Sequence, residues 1–205
     1  MAPRVLLLHG LMMRRPALLP LAWRLRKRGF ATEMFTYSSL FQTPGLAMER
    51  LAMRLYAMGP EPVHLVAHSL GGLIVAEALN RYQQLPPGRV VCLGSPIAGS
   101  SAARVLAGRG LGGISGRSGQ LLRGGLATLP GGRQIGMIAG SRSVGLGKFF
   151  STFDSVNDGT VAVWETRMPG LADHAVIQSS HSGLVFSPQA ADLVATFLDG
   201  GRFRP

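Results

Sequence analysis

The chain has 205 residues, and its apolar content of 46% is enough for one well-filled core in a single domain. Charged residues make up only 15% of the sequence, so the composition is far from that of disordered proteins. The formal net charge of +11 attracts anionic partners. Because the arginines are dispersed and no basic-aromatic motif accompanies them, we expect no nucleic-acid partner, whereas an anionic membrane surface or an acidic substrate fits better.

Cysteine content and the N-terminal residues bear on the compartment. Cys92 is the only cysteine, and its apolar neighbours predict a buried thiol with no internal disulfide. The apolar run from Val5 to Leu8 is too short for the core of a signal peptide, and no cleavage site follows it. No stretch approaches the roughly 18 consecutive apolar residues of a membrane span. We therefore expect a cytoplasmic protein.

Strand-like and helix-like segments alternate along the chain. Short apolar runs predict strands at 5–8, 31–37, 63–67, 90–94, 134–139 and 175–179. Helical periodicity with terminal capping signals predicts helices at 16–28, 44–58, 71–82 and 188–198. This alternation favours one doubly wound α/β domain over residues 1–205, with a mainly parallel sheet and helices on both faces. A glycine-rich segment, residues 98–132, interrupts the alternation as an insertion.

The segment Ala67-His68-Ser69-Leu70-Gly71-Gly72 joins a predicted strand directly to a predicted helix. In that context a G-x-S-x-G-like sequence predicts a nucleophile elbow with Ser69 as the nucleophile. A serine at such a turn has a strained backbone, and small residues must flank it where strand and helix meet. Ala67 departs from the first glycine of the pattern by one methyl group.

An oxyanion formed beside Ser69 requires hydrogen-bond donors. The predicted helix begins directly after Ser69, so its positive end and free amides point at the site, with Leu70 N–H as the first candidate donor. The loop after the first strand supplies the second candidate, Leu11 N–H.

A serine hydroxyl needs an imidazole base to act as a nucleophile at neutral pH. Of the five histidines, His181 lies in a loop between the last strand and the last helix, where its side chain reaches over the carboxyl edge of the sheet. The others are assigned to the oxyanion turn (His9), a strand interior (His64), the position beside the nucleophile (His68) and a strand start (His174). We therefore predict His181 as the base.

The base in turn needs a carboxylate, and on this type of fold the acid lies between the serine and the histidine in chain order. Asp158, in a tight turn past the insertion, is the preferred residue, although it also suits a purely turn-forming role. Asp154 is the alternative. We expect Glu165 and Asp173 to be surface groups or turn caps.

These segments resemble the small bacterial lipases and esterases of the α/β-hydrolase superfamily. The resemblance rests on five segments: His9-Gly10, the elbow at 67–72, Leu93-Gly94-Ser95-Pro96 with Gly99-Ser100, Asn157-Asp158-Gly159 and the run from His181 to Ser187. It implies hydrolysis of a small-molecule acyl ester or lipid through an acyl-enzyme, with Ser69, Asp158 and His181 as the triad. Two departures are the missing signal peptide and the insertion, since many of these lipases are secreted and the compact type has no lid.

The insertion at 98–132 follows a strand end where this fold places its active-site loops, which favours a mobile lid whose leucines, including Leu121 and Leu122, face an acyl chain. An ordinary surface excursion is the alternative. The same triad serves thioesterases and acyltransferases, and a non-catalytic binding or regulatory protein is a further alternative. His64 and His68 are spaced along a strand by roughly 13 Å, too far to share a metal, so we expect no metal and no cofactor.

Overall fold

The computed structural model describes residues 2–13, 15–143 and 155–204. Its strands are β1 (Arg4–Leu8), β2 (Ala31–Phe35), β3 (Val63–His68), β4 (Val90–Leu93), β5 (Ile135–Gly140) and β6 (Asp173–Ile177). Its α-helices are α1 (Leu19–Lys27), α2 (Pro44–Ala57), α3 (Leu70–Arg81), α4 (Ser101–Gly108), α5 (Gly119–Gly124) and α6 (Pro188–Gly200). Short 3-10 helices span Arg15–Leu18, Gly112–Ser118, Val163–Thr166 and Ser182–Val185.

The six strands form one sheet in the order β2-β1-β3-β4-β5-β6, and every neighbouring pair is parallel. The chain leaves β1 toward β2, crosses back over β1 to β3, and then continues toward β6. The strand order therefore reverses between β1 and β3, and in open α/β sheets a crevice for ligands forms at the carboxyl ends of such a strand pair. The expected α/β class with a parallel sheet is confirmed.

Each face of the sheet has its own apolar core. On β1, Leu6 and Leu8 belong to one core and Val5 and Leu7 to the other, as the alternation of side chains along a strand requires. The first core is completed by buried residues of α2, α3 and α5, and the second by those of α1 and α6. Because the central strands are covered on both faces, they read in the sequence as continuous apolar runs.

The starts of the first helix and of the last strand both differ from the predictions. The helix predicted from Pro16 starts as a 3-10 turn, and α1 begins only at Leu19. Pro20 lies in the first turn of α1, where backbone N–H groups have no acceptor within the helix, so its missing N–H costs no hydrogen bond. The last strand begins at Asp173, two residues before the predicted start. The Asp173 carboxylate accepts hydrogen bonds from His174 N and Phe203 N, which fixes a polar residue at the start of this edge strand.

The segment at 98–132 contains α4, the 3-10 helix Gly112–Ser118 and α5. Among the described residues, no helix combines the length and the apolar character needed to cross a membrane. Cys92 on β4 is a buried free thiol as predicted, and burial raises its pKa to about 12, so the sulfur stays protonated.

Candidate active site

Ser69 occupies the turn between β3 and α3 with φ 53° and ψ −123°, a backbone conformation that non-glycine residues rarely adopt. Its amide donates to Leu93 O at 2.9 Å, which fixes the turn to β4. A side chain at Gly71 would meet His9 O at 2.8 Å, and one at Gly72 would meet Ser95 Oγ. The two glycines after the serine are therefore required by the close approach of α3 to the strand ends.

Ser69, His181 and Asp158 form a continuous hydrogen-bonded series. Ser69 Oγ lies 3.0 Å from His181 Nε2, and His181 Nδ1 lies 2.8 Å from Asp158 Oδ2. The side chains of Asp158 and His181 are 1% and 12% exposed, respectively. A carboxylate acceptor at Nδ1 stabilises the tautomer that carries its proton there, which leaves Nε2 as an acceptor for the serine hydroxyl.

Asp158 uses its two carboxylate oxygens differently. Oδ1 accepts hydrogen bonds from Thr160 N at 3.0 Å and Val161 N at 2.8 Å, while Oδ2 is bonded to His181. The main chain adds a further link, since His181 N donates to Asp158 O at 2.9 Å. The turn-forming role and the contact with the histidine, which the sequence presented as alternatives, thus coexist in one side chain.

The other acidic residues considered from the sequence have different surroundings. Asp154 lies outside the described residues. Glu165 is fully buried, so its expected place at the surface is wrong, although its carboxylate does accept from Ala162 N at 2.8 Å as a turn cap would. Asp173 is partly buried at the start of β6. No sequence signal distinguishes Glu165 from a surface acid, because its second partner, Ser101 N, is distant in the chain.

The two amides predicted as oxyanion donors belong to chain segments that meet at Ser69. Leu70 begins α3, and Leu11 lines the cavity that also contains Ser69. In the described part of the chain, neither amide donates to a protein acceptor. A Cβ at Gly10 would come within 2.9 Å of Ser69 Cβ, so the loop that carries Leu11 passes too close to the serine for a side chain at residue 10.

Tyr37 supports this loop and was missed in the sequence. Its hydroxyl donates to His9 O at 2.7 Å, and its ring stacks on the His9 ring with centroids 4.5 Å apart. Burial raises the pKa of Tyr37, so the hydroxyl remains a donor at every physiological pH. Its position at the carboxyl end of the second predicted strand could have indicated a role at the site, because ligand sites of parallel sheets form at that edge.

His68 packs behind the imidazole of His181. Its Nε2 lies 2.9 Å from His181 O, and the two ring centroids are 4.7 Å apart. Burial, reinforced by the neighbouring His181, lowers the pKa of His68 to about 3. The ring is therefore neutral at neutral pH and donates from Nε2 to the His181 carbonyl, without adding a second positive charge beside His181.

A cavity of about 660 Å³ opens over Ser69 and His181. Much of its apolar lining comes from the loop after β1 and from the segment at 98–132, and includes Leu11, Met12, Ala102, Ala103, Leu106 and Leu122. The same segment also contributes the hydroxyls of Ser100 and Ser115. Thr160, Ser180 and Ser182 contribute hydroxyls on the side of the histidine. The lining is therefore mainly apolar with interspersed hydroxyls, and it can accommodate an apolar group beside the serine.

The remaining histidines have structural partners. His64 Nδ1 accepts from Arg89 N at 3.0 Å, and His174 Nε2 lies 2.8 Å from Thr166 Oγ1. Over residues 2–13, 15–143 and 155–204, no group of three or more histidine, cysteine or acidic side chains is arranged to hold a metal ion.

The depressed pKa of His68 predicts a pH-dependent stability. His68 takes up a proton near pH 6.5 when the chain is unfolded but only near pH 3 when it is folded, so the unfolded state binds more protons between these values. The free energy of unfolding should therefore fall as the pH decreases from about 6.5 toward about 4. His174, whose folded pKa is lowered to about 4, acts in the same direction.

Denaturant titrations of wild type and His68→Gln at several pH values check this prediction, because glutamine retains an N–H donor but does not titrate. We expect the variant to lose less stability on acidification than wild type. The titratable neighbours of His68 are His181, Asp158 and His9, and all three remain in both proteins. Equal pH slopes for the two proteins would contradict the assignment of a neutral, buried His68.

Comparison with known proteins identifies solved structures that have a similar fold. No protein-family model and no curated protein sequence matches the chain. The mature form of a Bacillus licheniformis lipase aligns with 97% of this chain and 91% of its own length, at 19% identity and a TM-score of 0.77. A metagenomic carboxyl esterase aligns with 88% of this chain and 64% of its own length, at 18% identity and a TM-score of 0.68. An α/β-hydrolase-fold protein from Chitinophaga pinensis aligns with 97% of this chain and 91% of its own length, at 13% identity and a TM-score of 0.63. These similarities and the parallel sheet of six strands show that the chain has the α/β-hydrolase fold.

Proposed function

We propose that the protein is a carboxylic ester hydrolase that works through an acyl-enzyme on Ser69. The observation that carries the proposal is the series Ser69 Oγ, His181 and Asp158, joined by contacts of 3.0 Å and 2.8 Å beneath a partly apolar cavity. The names of the structural neighbours, which include a lipase and a carboxyl esterase, support the same class of reaction.

In the proposed reaction, Ser69 Oγ attacks the ester carbonyl carbon while His181 Nε2 accepts the hydroxyl proton. The negative charge that develops on the carbonyl oxygen is stabilised by the N–H groups of Leu11 and Leu70, which have no protein acceptor among the described residues. The imidazolium then gives its proton to the alcohol oxygen as the C–O bond breaks. Water, deprotonated by the same imidazole, attacks the acyl carbon of the acyl-enzyme. As the bond from this carbon to Ser69 Oγ breaks, the imidazolium returns the proton to Oγ and the carboxylic acid leaves.

Asp158 stabilises the imidazolium formed during both attacks and keeps the ring in its working tautomer. Because Oδ1 is held by the amides of Thr160 and Val161, Oδ2 stays directed at His181 Nδ1 before substrate arrives. The carboxylate therefore needs little reorganisation during the reaction, which is the condition under which electrostatic stabilisation contributes most to the rate.

Substitution of the three residues tests the mechanism. Ser69→Ala and His181→Ala should each lower kcat/KM for p-nitrophenyl acetate by about a thousandfold or more, whereas Asp158→Asn should retain a larger remnant because Asp158 transfers no proton. A fluorophosphonate should label wild type at Ser69 only while the protein is folded. Wild-type turnover by Ser69→Ala would show that Ser69 is not the nucleophile.

Two further aspartate variants serve as controls. Asp192→Asn changes an exposed carboxylate on α6 and should leave activity unchanged. Asp154→Asn tests the alternative acid, and a larger loss of activity than for Asp158→Asn would transfer the assignment to Asp154.

Product analysis with added alcohols or thioesters separates hydrolysis from acyl transfer and from thioesterase activity, which use the same acyl-enzyme. A wild type that neither turns over nor reacts with the fluorophosphonate would favour a binding or regulatory role.

We further propose that the segment at 98–132 forms the acyl-binding wall of the cavity. Leu122 is buried and lines the cavity, whereas the neighbouring Leu121 packs against the core outside it. Leu122→Ser should therefore raise KM for p-nitrophenyl octanoate far more than for the acetate, with Leu121→Ser as the matched control. Equal effects of Leu122→Ser on both esters would make the segment a scaffold instead of a substrate-binding element.

We also propose that the mouth of this cavity contacts anionic lipid surfaces. Large apolar side chains are exposed on the loops after β1 and β2 and around the 3-10 helix Gly112–Ser118, namely Met12, Phe41, Leu111 and Ile114. Hydrogen bonds from Arg117 N to Leu40 O and from Met12 N to Ser39 Oγ join these loops, and the side chains of Arg109 and Arg117 are exposed nearby in the sequence. Apolar and basic groups together are the combination that binds anionic membranes.

Sedimentation with lipid vesicles tests this contact. The protein should bind vesicles that contain phosphatidylserine more strongly than phosphatidylcholine vesicles, and added salt should weaken the binding. The double variant Phe41→Ser with Ile114→Ser should lose most of it, whereas Val176→Ser, which changes an exposed apolar side chain on the edge strand β6, should not. Equal binding by both variants would rule out this surface.

A further inference from the structure

The carboxylate of Glu165 lies between the two walls of the cavity. Its side chain is fully buried, although it carries a formal charge, and it belongs to the 3-10 helix Val163–Thr166 that follows the turn of Asp158. One oxygen, Oε2, accepts from Ala162 N at 2.8 Å, and the other, Oε1, accepts from Ser101 N, the first amide of α4. The main chain repeats the link, since Ala98 N donates to Glu165 O at 2.9 Å.

These bonds connect the cavity wall of α4 to the wall that carries the acid. On one side Ser101 is followed in α4 by Ala102 and Ala103, which line the cavity. On the other side Ala162 is preceded by Val161, which also lines the cavity and whose amide is bonded to Asp158. The Glu165 side chain therefore joins the two walls directly, beside the main-chain bond from Ala98 N.

The 3-10 helix is itself anchored to the sheet. Thr166 Oγ1 lies 2.8 Å from His174 Nε2 on β6, so the residue next to Glu165 is held by a strand. The N-terminus of α4 is thus bonded, through Glu165, to an element that is itself hydrogen-bonded to β6.

The chemistry of these contacts requires a carboxylate. Both partners are backbone N–H donors, and an ionised carboxylate offers only acceptors, whereas the amide of a glutamine offers one acceptor and a donor that would face another donor. Burial of a charge is unfavourable unless the charge is paired or strongly hydrogen-bonded. Charge-assisted bonds to two amides and the positive end of α4 supply that compensation.

We propose that Glu165 is a positioning residue for substrate binding, which holds α4 against the acid-bearing turn and so preforms the acyl wall of the cavity. This inference rests on the proposed ester hydrolysis for its effect on substrates. It also makes the beginning of the 98–132 segment a fixed wall, in contrast to the mobile lid expected from its glycines.

Two substitutions break the contact from opposite sides. Glu165→Gln removes one acceptor. Ser101→Pro removes the donor, and proline suits this site because Ser101 is the first residue of α4 and Ser100 before it has the extended conformation, φ −95° and ψ 117°, that a following proline prefers. Ser101→Ala keeps the N–H and is the matched control.

Steady-state kinetics with p-nitrophenyl acetate and octanoate provides the first readout. For Glu165→Gln and Ser101→Pro we expect KM for the octanoate to rise about tenfold while kcat for the acetate stays within about twofold of wild type. Ser101→Ala should match wild type for both esters. Equal losses on the two esters, or no loss on either, would overturn the proposal.

Hydrogen–deuterium exchange of the α4 amides provides a second readout that does not depend on activity. Exchange should be faster in Glu165→Gln and Ser101→Pro than in wild type and Ser101→Ala. Unchanged exchange in both variants would overturn the proposal that Glu165 holds α4. If wild type cleaves neither ester, the proposed function fails, and the exchange data still decide whether Glu165 holds α4. Should Glu165→Gln fail to fold, Ser101→Pro decides alone.

Discussion

The close packing of three main-chain segments around Ser69 is the constraint on which the candidate site depends. The loop after β1, the turn after β3 and the start of α3 meet where a side chain at Gly10 or Gly71 would collide with its neighbours. The reversal of strand order between β1 and β3 produces this meeting, because both strands end there with no other strand between them. The strain of a serine at positive φ is sustained by the surrounding packing, and it projects the hydroxyl into the cavity.

Features encoded by neighbouring residues could be predicted from the sequence. The strand–serine–helix arrangement at residues 67–72 is local, and His181 could be selected by its position between the last strand and the last helix. Asp158 was less certain, since turn formation and contact with a base give the same local pattern. The structure unites these roles through the two oxygens of its carboxylate.

Features that depend on distant partners could not be predicted. Glu165 bonds to an amide 64 residues away, so nothing near it in the sequence separates it from a surface acid. The two helices of the 98–132 segment were hidden by the many glycines around them, and they pack into the core through Ala103 of α4 and Leu122 of α5. The early start of β6 depends on Asp173 and its contact with Phe203 N near the C-terminus.

The burial of Cys92 has a consequence for the study of this fold in solution. The thiol lies on β4 inside the sheet, is 2% exposed and is held protonated by its surroundings, so a thiol reagent has neither access nor the reactive thiolate while the strand is intact. Since the sequence holds one cysteine, its modification reports only on openings of the structure that expose β4. The kinetics of Cys92 modification can therefore be used to follow transient opening of the protein core.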